Sequence, residues 1–106
     1  MIKFKYGDEE YKLTFTRQTA SDAEKAGFKF DKKKIEDMPV TSVIVLETYA
    51  FKAMHPDIDD DTALDIVSNL KNKDGLIQAL MKEYSNAIDT LMSEPDAKNA
   101  IEWTET

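Results

Sequence analysis

Apolar and polar positions alternate at the start of the chain. Ile2, Phe4 and Tyr6 are separated by Lys3 and Lys5, and Tyr11, Leu13 and Phe15 alternate with Lys12, Thr14 and Thr16. A period of two sends successive side chains to opposite faces of a strand, so each run carries one apolar face. Gly7-Asp8-Glu9-Glu10 lies between them, a short polar stretch with a glycine that reads as a turn. Residues 2–16 are therefore predicted to form an antiparallel hairpin. Such a hairpin is marginal in water by itself and must pack its apolar face on something, which the later helices can supply. Tyr6 and Leu13 both belong to that face. A charge at either is expected to unfold the domain, because it would be buried without a partner.

Beyond residue 19 the period lengthens. Thr19-x-x-Asp22 resembles a capping box with Asp in place of Glu, and predicts a short helix over 20–26 that stops at Gly27. Phe28 and Phe30 follow and are expected to tuck inward, ahead of a loop or edge strand through Asp31-Lys32-Lys33-Lys34. Pro39 suits a first helical turn, and Pro56 turns His55 away from helical geometry, which bounds a helix over 40–54. Val40, Val43, Ile44, Leu46, Ala50, Phe51 and Met54 make it apolar on more than one side, as a central helix would be. One of Asp59, Asp60 and Asp61 caps the next helix, over 60–71. Leu76, Ile77, Leu80, Met81, Tyr84, Ile88, Leu91 and Met92 then recur every three or four residues, an amphipathic stripe over 75–92. The predicted fold class is α+β: an N-terminal antiparallel β-hairpin packed against about four α-helices as a single domain over 1–95. A short acidic tail, 96–106, follows, with Ile101 and Trp103 as its large apolar residues.

Charge narrows the possible partners. Across 106 residues, 21 acidic and 14 basic side chains give a formal charge of −7. Binding phosphates requires a basic surface that releases counterions, so neither nucleic acid nor an anionic membrane is an expected partner. No apolar run is long enough to span a bilayer, and the start MIKFKYGDEE lacks a signal peptide's apolar core. The absence of cysteine removes disulfides and thiolate metal sites, and fits a reducing cytoplasm.

The stretch Met54-His55-Pro56-Asp57-Ile58-Asp59-Asp60-Asp61 is the one place where chemistry is suggested. Asp57, Asp59 and Asp61 match the first alternating ligands of a calcium loop, and weak binding of a divalent ion there is conceivable. The template then fails, with Thr62 where the turn needs Gly and Ser68 where a bidentate Glu belongs. Acidic residues at a helix start have a simpler use, accepting the unpaired N–H groups of the first turn. His55 is the only histidine, without further His or Cys ligands for zinc, and no nucleophile elbow surrounds any serine. The three glycines stand apart and form no phosphate loop. No catalytic residue, cofactor or metal site is expected, and the chain reads as a protein that works by binding. Met81, Tyr84, Met92 and Trp103 are the candidate interface residues. The first three are mainly core positions, and Trp103 either folds back onto the domain or anchors a partner.

The layout resembles a phage family. The hairpin and short helix of "IKFKYGDEEYKLTFTRQTA", the helix of "MPVTSVIVLETYAFKAMHP", the helix of "LKNKDGLIQALMKEYSNAIDTLM" and the acidic end with "IEW" are similar to the tail assembly chaperones of long-tailed phages and prophages of Gram-positive bacteria. The resemblance covers nearly the whole chain and rests on spacing rather than on catalytic residues. It implies a non-enzymatic protein of the bacterial cytoplasm that coats the long helical tape measure protein and recruits tail tube subunits around it. It also implies absence from the finished virion. The tape measure and tail tube proteins are then the expected partners, and a homo-oligomer is possible. Methionine-bearing helix faces suit such a role, because they re-pack against varied apolar surfaces. Two other readings remain: a small phage-encoded regulator or inhibitor that binds a host protein, and a metal protein or enzyme centred on His55 and the aspartates.

Overall fold

A computed structural model describes residues 1–29, 38–98 and 100–105, with the side chain of Met92 left undescribed. Phe30 and Lys32–Lys34, and with them the suggested edge strand, lie outside the described residues. The chain is α+β, a two-strand antiparallel hairpin followed by four helices. Strand β1 (Ile2–Tyr6) pairs with β2 (Glu9–Leu13) in the register Ile2–Leu13, Phe4–Tyr11 and Tyr6–Glu9. Only two residues turn the chain, and Gly7 takes a φ of +64° at the first of them. That is the glycine position of a type II′ turn, whose twist matches the flanking strands.

β2 ends at Leu13, earlier than alternation suggests. The next N–H, of Thr14, donates not to a strand but to the Ala50 carbonyl of helix α2 (Val40–Lys52), at 3.1 Å. Leu13 is fully buried and Phe15 nearly so, as the shared face requires. Tyr6 corrects the expectation made for it. It sits near the turn, is 42% exposed, and its hydroxyl accepts a long hydrogen bond from Asn69. The face was placed properly, but its cover stops before Tyr6.

Helix α1 (Arg17–Lys25) starts three residues before the position that Thr19-x-x-Asp22 suggests. The box is Thr16-x-x-Thr19: the Thr16 hydroxyl accepts the Thr19 N–H at 3.1 Å, and the Thr19 hydroxyl accepts the Thr16 N–H at 2.9 Å. Gly27 ends the helix as expected. With φ at +111°, it lets the Phe28 N–H reach the Ala23 carbonyl and its own N–H reach that of Glu24, the Schellman pairing. Phe28 is thereby swung into the core.

α2 is the hub, packed against β2, α1, α3 (Asp60–Ser68) and α4 (Lys73–Met92). Its inner face carries Val45, Leu46, Ala50 and Phe51, all buried. Phe51 meets Phe4 and Tyr11 edge-on at 6.4 and 6.0 Å between ring centres. α4 begins earlier than the apolar stripe does, because Asn72 adopts a left-handed conformation (φ 57°) and caps the Gly75 N–H with its side-chain oxygen. A side chain on Gly75 would collide with that cap, its Cβ lying 2.3 Å from the Asn72 amide nitrogen. From α4, Leu80, Met81 and Tyr84 complete the core.

Candidate interaction surface

The histidine loop resolves into structural roles. His55 Nε2 accepts the Lys12 N–H at 3.1 Å, which leaves its ring proton on Nδ1. The ring lies against Tyr11, 5.1 Å between centres, and near Phe51. His55 thus ties the end of α2 to the outer edge of β2. Asp59 is the cap of α3, its Oδ1 accepting the Thr62 N–H at 2.7 Å. That bond holds its carboxyl below the usual aspartate range. Asp60 meets Lys52 at 3.3 Å, across the gap between α2 and α3. Among the described residues, no three carboxylates or imidazoles converge as a metal site would require.

Of the candidate interface residues, Met81 and Tyr84 point inward. Both are almost fully buried. Tyr84 stacks edge-on with Phe28 and Phe15, at 4.9 and 5.6 Å, and donates its hydroxyl to the Glu24 carboxylate. Burial and that carboxylate both push the phenol well above its ordinary pKa. Met92 closes α4, with its side chain outside the described part. Trp103 is different. It does not fold back onto the domain, being 82% exposed, and Ile101 beside it is 89% exposed. With Glu94, Pro95, Ala100 and Glu102 they line a shallow hollow in the tail.

Two helices also keep apolar groups in water. On α2, Val40 is 74% exposed and Ile44, one turn along, 40%. Sequence reasoning counted both toward a central helix; the core reaches only the C-terminal part of that face. Glu47 continues the row, half-buried, and desolvation raises its carboxyl pKa while the Lys73 ammonium pulls the other way. On α4, Leu91 lies beyond the last core residues and is largely exposed.

Residues 1–106 match the family described as a domain of unknown function (DUF5055). The chain belongs to that family. No curated protein and no solved structure matches it. In this DUF5055 domain, no described helix is long and apolar enough to cross a membrane. What its surface offers is apolar side chains in water at the start of α2, the end of α4 and in the tail, the last two among carboxylates. Such a surface can hold another protein, because burying a large apolar side chain contributes roughly 1.5–3 kcal/mol.

Proposed function

We propose that this DUF5055 domain is a non-enzymatic tail assembly chaperone, which binds the tape measure protein before the tube forms and recruits tube subunits to it. The chain-long resemblance, from hairpin to "IEW", supplies the identity of the partner. The structural observation that carries the reading is the row Val40–Ile44 on α2, an exposed apolar strip on a helix whose other side is core. A tape measure helix carries long apolar stripes with nothing to bury them until the tube closes round it. A shallow strip one turn apart on another helix suits such a partner, since side chains at i and i+4 form a ridge that fits a helix groove. The bacterial cytoplasm, where tails are built, is the compartment this implies.

The test is binding of the purified domain to a tape measure segment, by calorimetry or pull-down, with Val40→Lys/Ile44→Lys as the comparison. Both positions are exposed, so thermal stability is expected to stay within about 1 kcal/mol of wild type, while binding weakens about tenfold or more. Undiminished binding by the double variant rules out this strip. No binding by the wild-type domain rules out the chaperone.

A further inference from the structure

The two edges of the hairpin are not equivalent. Along β2 the outward N–H of Lys12 is taken by His55 and that of Thr14, just past the strand, by the Ala50 carbonyl, which leaves outward only that of Glu10 beside the turn. On β1 the register leaves the main-chain groups of Lys3 and Lys5 pointing outward, because Ile2, Phe4 and Tyr6 are the residues bonded to β2. Among the described residues no strand pairs with that edge. The apolar face is also thinly covered there, since Ile2 and Phe4 are only partly buried and Tyr6 is exposed, whereas Leu13 on β2 is closed off. Lys3 and Lys5 occupy the opposite, outer face, and neither has an ion-pair partner among the described residues.

The same chain carries a segment with the matching pattern. Ile101-Glu102-Trp103-Thr104-Glu105 opens with apolar and polar residues in alternation, outside any helix and standing in water. Laid along β1 with Ile101 and Trp103 on the face of Ile2, Phe4 and Tyr6, it puts Glu102 on the face of Lys3 and Lys5. This follows from the period of two and holds for either strand direction. In its own chain the segment is not on the hairpin.

We propose that residues Ile101–Glu105 of one copy add as a strand to the open β1 edge of a second copy. Main-chain hydrogen bonds at Lys3 and Lys5 hold it, Trp103 covers the thin side of the apolar face, and Glu102 meets the two lysines. The net charge of −7 opposes the approach of two copies, so the contact is weak in dilute solution. This contact goes beyond tape measure binding and stands or falls apart from it.

Sedimentation equilibrium of the full chain, alone and over a wide concentration range, tests it. The mass is expected to rise reversibly above one chain. Glu102→Lys, at an exposed site, should weaken association about tenfold or more without changing the melting temperature. The combined variant Lys3→Glu/Lys5→Glu/Glu102→Lys should recover it. In parallel, amide exchange at Lys3 and Lys5 should slow as concentration rises. A single-chain mass at every concentration overturns the proposal. So does association indifferent to Glu102→Lys, or protection of both amides already complete in the dilute monomer.

Discussion

Single residues that look chemical in the sequence turn out to hold elements together. His55 and Asp59 were conspicuous by type, yet each serves a backbone N–H: His55 that of Lys12, Asp59 that of Thr62. The cap was legible, since aspartates before an apolar run predict it. The histidine's partner was not, because Lys12 lies 43 residues away and no local pattern announces the contact. His55→Ala leaves that N–H without its acceptor and is expected to cost about 1 kcal/mol, read as a lower melting temperature. Tape measure binding should survive; its loss from a folded variant would give His55 a functional role instead. Glu47 supplies a pH test. Its carboxyl is raised in the folded state, so the folded chain holds the proton more tightly than the unfolded one. Its contribution is therefore favourable below the ordinary glutamate pKa and disappears as pH rises through the raised value. Glu47→Gln should flatten that part of the stability–pH curve and melt slightly higher than wild type at neutral pH. An unchanged curve would mean that the carboxyl is not desolvated.

At the scale of elements, periodicity told more than caps did. Strict alternation gave the hairpin and its inward face, and Gly27 gave the end of α1. The start of α1 was misplaced because its box uses threonine at both ends, and threonine is not the residue sought at the third position. How far a face is covered depends on what packs across it, which no single segment encodes. Tyr6 and Leu13 share a face, but only Leu13 lies under α2. Leu13→Asp is thus expected to abolish cooperative folding, by burying an unpaired carboxylate. Tyr6→Asp should fold and melt within about 1 kcal/mol of wild type. Equal damage from both would mean the turn end of the hairpin is buried in solution. The cap of α4 offers a second contrast. Both Asn72→Gly and Asn72→Ala lose the side-chain cap, but glycine suits the positive φ whereas alanine also strains the backbone. Only the alanine should cost about 1–2 kcal/mol in denaturant unfolding.

The whole molecule is more extended than its length demands. Its radius of gyration is 15.7 Å, where a compact chain of this size has about 13 Å. Its accessible surface of 7899 Å² likewise exceeds the roughly 6,000 Å² of a compact monomer. The long axis is 54 Å, α4 with its 20 residues is about 30 Å long, and the tail that follows it holds Ile101 and Trp103 in water. The sequence flagged Trp103 but could not say whether it folds back, since a tail of that length has too few neighbours of its own to fix its place. Under the proposed function, apolar side chains left in water such as these are where the tape measure protein is expected to bind. Co-expression with the tape measure protein of the same phage or prophage tests that most directly. The expected result is a tape measure protein that stays soluble and co-purifies with the domain. A tape measure protein that remains insoluble, with the domain recovered alone, would contradict it.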